Sequence, residues 1–393
     1  MKQTIYLDHN ATTPVWPEVV EAMTPFWEGL FGNPSSIHES GTLVARELRR
    51  ARREAASFLG AGDDSEIVFT SGGTESNNTI LRSAITTQIG KRHLVTSTVE
   101  HSSILKTARA LQEEGAEVTL IPVSSEGGLD REKLREAVTG KTALVSVMMA
   151  NNETGVIFPI EEIGKELRER GILFHVDAVQ AAGKIPFSVE SLPVDFLSVS
   201  AHKFGGPKGV GVLYVRKETP FRPLIFGGSQ ERARRAGTEN VPGIIGLGAA
   251  SRKVQERFVE ENSRMQKIRN YFEERVLRTI PGVQVNGSRN YRLPNTSNLA
   301  FDGVDAEALL ILLDQEGVYA SSGSACISGS PAPSHVLKAM GFSDERAKSS
   351  VRFSFGPQNT LEEVEIVLEL LQRFVSRLRE IELKVQHPHS VIQ

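Results

Sequence analysis

Between residues 198 and 211 the chain reads SVSAHKFGGPKGVG. One apolar run, VDFLSVS (194–200), ends in this stretch, and a second, VGVLYVR (210–216), begins in it. Glycine-rich links of this kind also occur in dinucleotide-binding folds, but there they open a helix, whereas the glycines at 205–211 lead into a strand. The link is too short for a helical crossover, so one of its two strands is expected to run antiparallel. Most lysines are solvated surface charges. Lys203 instead leaves a buried strand beside His202 in a glycine-flanked turn, which suits a desolvated amine able to form a Schiff base.

Outward from this turn, residues 42–216 alternate between two textures. The stretch 42–60 places Val44, Leu48, Ala51, Ala55 and Phe58 on one helical face. Short apolar runs at 66–70, 93–97, 117–122, 142–149, 172–177, 194–200 and 210–216 read as strands. Strands separated by helices predict an α/β fold with a mainly parallel seven-stranded sheet covered on both faces. Past Pro242 a proline-free stretch reaches Ile280 with helical spacing at Val254, Phe258, Met265, Ile268, Phe272 and Val276. It is expected to bridge residues 15–257, the large domain, to a smaller α+β domain made of 1–14 and 258–393 and ending in an amphipathic stretch at 361–385.

The 393 residues carry a net charge of −3 with no basic stripe, so nucleic acid is not expected as a partner. No run approaches the ~20 apolar residues needed to cross a bilayer. Asp8, His9 and Pro14 interrupt the place where a signal peptide would need an apolar core, and a cytoplasmic location is expected. The single cysteine, Cys326, excludes an intrachain disulfide and a multi-cysteine metal site within one chain. His387 and His389 lie in a polar tail that reads as a frayed terminus sooner than a metal site.

Two further segments carry chemistry. SGGTESNN (71–78) lies between a strand and a helix, where Gly72, Gly73 and Thr74 suit phosphate, although such a turn needs glycine in any case. In HVDAVQAAGK (175–184), Asp177 ends a buried strand, where a carboxylate needs compensation. It either caps the next helix or pairs with the protonated ring nitrogen of pyridoxal phosphate (PLP). Gln180 comes about one helical turn later, within reach of the same ring.

Taken together, LDHNATTP (7–14), GNPSS (32–36), SGGTESNN, EHSS (100–103), NNETG (151–155), HVDAVQAAGK, SAHKFGGPKG, RAGTEN (235–240) and SSGSAC (321–326) resemble the cysteine desulfurases of the NifS/IscS type. These are class V aminotransferase-like PLP enzymes of fold type I, and the motifs run in family order from about Tyr6 to Gly356.

The resemblance implies a role for each residue. Gly73, Thr74, Ser200 and His202 would bind the cofactor phosphate, and His101 would stack on the ring and assist proton transfer. Asp177 and Gln180 would hold the ring nitrogen and phenolic oxygen, and Lys203 would anchor the cofactor as a Schiff base. Asn152 would lie beside cofactor and substrate, and Arg352 would fork onto the substrate carboxylate. Thr238 would reach the cofactor phosphate of a second subunit, which implies a homodimer. Cys326 lies among small residues without a hydrophobic anchor, unlike the usual buried cysteine, and would take sulfur from L-cysteine as a persulfide. The spacing from Cys326 to His335 resembles the longer loop of the NifS/IscS group rather than the shorter one of the SufS group.

A U-type iron–sulfur scaffold or another sulfur acceptor is the implied partner, with Cys326 a transient cluster ligand in that complex. The tail VQHPHSVIQ departs from the IscS terminus used in docking. A selenocysteine lyase or an aminotransferase would share the cofactor residues. A catalytically idle scaffold would not need Lys203, Asp177, His101 and Cys326 together.

Overall fold

The structure is a computed structural model that describes residues 4–322 and 333–386. Its central sheet has seven strands: β1 (Ile67–Thr70), β2 (His93–Ser97), β3 (Glu117–Ile121), β4 (Thr142–Met148), β5 (Leu173–Asp177), β6 (Phe196–Ser200) and β7 (Gly211–Val215). Their spatial order is β1-β7-β6-β5-β4-β2-β3. Only β7 is antiparallel to its neighbours, β1 and β6. The antiparallel strand expected from the short 201–210 link is therefore β7. Each expected strand appears within two residues of its place.

Period-two alternation divides the side chains of this sheet between two cores. On one face Val68, Leu94, Leu144 and Phe196 meet Ile80 and Leu81 of helix α2 (Gly73–Thr87) and Ile104 and Leu111 of α3 (Ser102–Glu113). On the other, Ile67, Phe69, Val145 and Val199 meet Val44 and Leu48 of helix α1 (Glu39–Leu59), together with Ile163 and Leu167 of the helix Ile160–Glu169. Phe58, expected on the buried face of the helix Glu39–Leu59, is half-buried and packs on Phe204 with ring centroids 5.0 Å apart.

The proline-free stretch forms one helix, Val241–Thr279. At about 1.5 Å per residue it is long enough to serve two cores. Ile244, Leu247 and Val254 join the core under the large sheet, whereas Ile268, Phe272 and Val276 join another. That second core also holds Ile5 and Leu7, the antiparallel strands Thr296–Phe301 and Ser350–Ser354, and Val364, Leu368 and Leu371 of the helix Leu361–Gln386. The first described residues thus pack with the last third of the chain. Among the described residues no helix is long and apolar enough to cross a membrane.

Candidate active site

The parallel strands end on one edge of the sheet, where loops leave crevices suited to ligands. The turns after β1, β2, β4, β5 and β6 enclose a cavity of about 210 Å³ there. It is lined by Gly73, Thr74, His101, Asn152, Asp177, Gln180, Ser200, His202 and Lys203, nine of the ten predicted cofactor contacts. Thr238, the tenth, is exposed and lies outside this cavity.

One end of the cavity is built for an anion. Helix α2 begins at Gly73 with no side-chain cap, which leaves its first amides without an intrahelical partner. Gly72 has φ +145°, a region L side chains rarely adopt, and a Cβ on Gly73 would sit 2.7 Å from Val179 Cγ2. The turn therefore needs both glycines. Beside it, His202 Nδ1 lies 3.1 Å from Thr12 Oγ1. Burial, with Lys203, Lys208 and Lys184 nearby, pushes this imidazole down to about 4, so it is neutral near pH 7.

In the same lining Asp177 is buried, with Oδ2 accepting from Asn77 Nδ2 at 2.7 Å and Oδ1 from Val179 N at 3.0 Å. Asn77 Nδ2 also donates to Ser103 Oγ at 2.9 Å. Ser103 Oγ is in turn 2.8 Å from His101 Nδ1, which also accepts from Ser103 N at 3.1 Å. A nitrogen that accepts from a backbone N–H carries no proton, so the His101 proton resides on Nε2. His101 caps α3 and lines the cavity. Desolvation lowers its pKa, opposed by Asp177 and reinforced by Lys203 and His335.

Gln180 does not sit on a helix. Residues 179–184 form successive turns, and the side chain enters the cavity from one of them. Its Nε2 donates to Asn10 O at 2.8 Å, and Lys203 Nζ donates to Asn10 O and Ala11 O, each at 2.7 Å. Burial and the Arg352 charge push the Lys203 amine down to about 8, against the pull of Asp8 and Asp177. Such an amine is far more often neutral, and so nucleophilic, than a solvated lysine.

Arg352 is fixed by Asp8 Oδ1 at 2.6 Å and Asn152 O at 2.9 Å. Cys326 lies outside the described residues. On its two sides, Ser321 N donates to Arg352 O at 3.2 Å, and Ser334 Oγ donates to Glu153 Oε2 at 2.5 Å.

Sequence reading missed several partners of these groups: Asp8, Asn10, Asn77, Ser103 and Lys184. Asn77 lies four residues beyond Gly73, so helical spacing alone places it above the cavity. Asp8 and Asn10 carry no such local signal, because their partners are remote in sequence.

An anion cradle at a helix N-terminus, a buried carboxylate and a depressed lysine amine in one cavity form a set that fits a phosphorylated pyridine aldehyde. This arrangement on the edge of a mainly parallel sheet is that of a fold type I enzyme. The sequence pattern of the family described as aminotransferase class-V matches residues 5–367, and the chain belongs to that family.

Within it, the chain is 49% identical over 375 residues to a cysteine desulfurase of Nostoc sp. (strain PCC 7120), covering 95% of this chain and 94% of that one. A solved NifS-like protein superposes with a TM-score of 0.90 at 40% identity, over 95% of this chain and 100% of its own. SspA in complex with cysteine gives 0.80 at 35% identity, over 91% and 100%.

Proposed function

We propose that the chain is a PLP-dependent cysteine desulfurase. It converts L-cysteine to L-alanine and leaves the sulfur as a persulfide on Cys326, for iron–sulfur cluster assembly or another thiolation pathway. The observation that carries this reading is the depressed Lys203 amine in one cavity with Asp177 and the open N-terminus of α2. Its similarity to cysteine desulfurases over nearly the whole chain supports the same reading.

When bound, PLP supplies an electron sink for charge leaving the substrate α-carbon. The chain's own groups do the rest. Gly73, Thr74, Ser200 and His202 hold the phosphate. Asp177, fixed by Asn77, keeps a proton on the ring nitrogen. Arg352 and Asn152 orient the substrate carboxylate. Lys203 would move the α-proton, and His101 would carry a proton on Nε2 to give to the departing fragment. The Cys326 thiolate attacks the substrate sulfur. The new S–S bond forms as the C–S bond breaks, and its electron pair stays on carbon, which takes a proton to become the alanine methyl.

The same reading makes the protein a cytoplasmic homodimer, with Thr238 of each subunit reaching the other's cofactor phosphate and a U-type scaffold or similar protein accepting the sulfur. It also takes 15–257 as the large domain and 1–14 with 258–393 as the small one. A selenocysteine lyase or aminotransferase would use the same cavity without needing a protein-bound persulfide.

The deciding experiment gives sulfur-labelled cysteine to the unsubstituted protein and to Cys326→Ser, following alanine, protein-bound label and the cofactor spectrum. Serine stays protonated at neutral pH and is a poor nucleophile toward sulfur. The variant is expected to load cofactor and respond spectrally to cysteine while releasing no alanine and holding no label. Alanine release at the unsubstituted rate would make Cys326 a spectator.

A further inference from the structure

Lys184 is a buried residue that the proposed mechanism does not use. Its Nζ donates to Gln180 Oε1 at 3.0 Å and to Gln180 O at 3.2 Å, so the amine clamps the residue four positions earlier at two points. Lysine nitrogen bears donors, and a backbone carbonyl only accepts. Both ends of the Gln180 amide are therefore defined. Oε1 belongs to Lys184, and Nε2 faces Asn10 O with one N–H, which leaves its second N–H for the cavity that Gln180 lines.

We propose that Lys184 is a positioning residue: it holds the Gln180 amide so that a hydrogen-bond donor, and not an acceptor, meets the ring oxygen of the cofactor. This rests on the reading of Lys203 as the PLP anchor. Asn10 O favours the same orientation but already accepts from Lys203, and it restrains only one end of the amide. Lys184 restrains the other.

The chemistry at the ring oxygen gives this orientation a consequence. A donor favours the ionised oxygen and so lowers its affinity for a proton; an acceptor does the reverse. Lys184 has no neighbouring carboxylate among the groups that set its charge. Burial, followed by Lys203 and Arg352, lowers it to about 7, and His9 in turn feels its charge. Protonated or neutral, it keeps N–H bonds for Gln180.

The test titrates the visible absorbance of the holoprotein with pH in the unsubstituted protein, Lys184→Met, Gln180→Leu and the double variant, with thermal melting of each as a check on folding. Lys184→Met is expected to move the midpoint upward by about half a pH unit or more, and Gln180→Leu to move it the same way. In the Gln180→Leu background, Lys184→Met is expected to add almost nothing.

An unchanged midpoint in folded, loaded Lys184→Met would overturn the proposal. So would a shift that adds in full on top of Gln180→Leu, because Lys184 would then act by its charge alone. Lys184→Gln keeps a neutral donor and guards against a Met variant that fails to load. Its midpoint is expected to return most of the way to the native value, and one displaced as far as in Gln180→Leu would equally overturn the proposal. Failure of the underlying PLP reading looks different: the unsubstituted protein would give no borohydride-fixed cofactor on the Lys203 peptide.

Discussion

Arg352 and Asp8 meet across 344 residues of sequence, Nη2 donating to Oδ1 at 2.6 Å. The arginine side chain is 5% exposed and the aspartate 19%, so neither charge is well served by water. Removing one partner of such a pair leaves the other buried and uncompensated. Asp8→Ala is expected to cost about 3 kcal/mol in urea unfolding. On the proposed function, Arg352→Ala raises KM for cysteine at least about tenfold, with a smaller change in kcat, because a carboxylate contact serves ground state and transition state alike. Steady-state kinetics check this; an unchanged KM would place Arg352 in structure only.

Lys203 is expected to control cofactor uptake through its own protonation. Its amine, lowered from the ordinary lysine value to about 8, is charged below that pH and neutral above it. Covalent capture of PLP by the apoprotein should accelerate from pH 7 to 9 with a midpoint near 8, followed as growth of the visible band. Lys203→Ala should melt like the unsubstituted protein and show neither the band nor turnover. A capture rate flat over that range would mean that Lys203 is not the amine responsible.

Thr238 is exposed at the surface, away from the cavity its family role would serve. On the proposed dimer, Thr238 would supply its phosphate contact to the other subunit. Where Thr238→Ala alone is severely impaired, mixing it with Lys203→Ala subunits should then restore part of the activity. Ultracentrifugation showing a fully active monomer would remove the basis for this expectation.

Glu100 is buried, with Oε1 accepting from Ser97 Oγ at 2.6 Å and from Met148 N at 3.0 Å. Burial, with Asp177 adding to it, pushes its carboxyl up to about 8. Between the ordinary glutamate value and 8, the folded state holds a proton that the unfolded state has lost. The contribution of Glu100 to stability therefore falls as pH rises through this window, by at most about 1.4 kcal/mol per pH unit. Glu100→Gln mimics the protonated form, so its stability relative to the unsubstituted protein should increase from pH 6 to 9. Parallel stability profiles for the two proteins would show that Glu100 is ionised throughout.

Local sequence determined the strands and helices here because burial imposes a short period. Ile67, Val68 and Phe69 alternate between two cores, and the turn at 201–210 leaves no length for a crossover. The glycines at 72 and 73, Asp177 and Lys203 were legible because each sits at a strand end, a position set by a few neighbouring residues. Helical periodicity placed the long helix but not the turns at 179–184, where Gln180 stands.

Tertiary structure alone decided which groups surround those residues. Asn10 O receives both Gln180 and Lys203, Asp8 holds Arg352, and Asn77 joins Asp177 to Ser103 and through it to His101. The Asn10 and Asp8 contacts in particular are encoded by no local spacing. They arise when the N-terminal segment packs with the second core and so carries Asp8 and Asn10 between Lys203 and Arg352. The low value of the Lys203 amine has the same origin, because burial and the Arg352 charge come from residues remote in the chain.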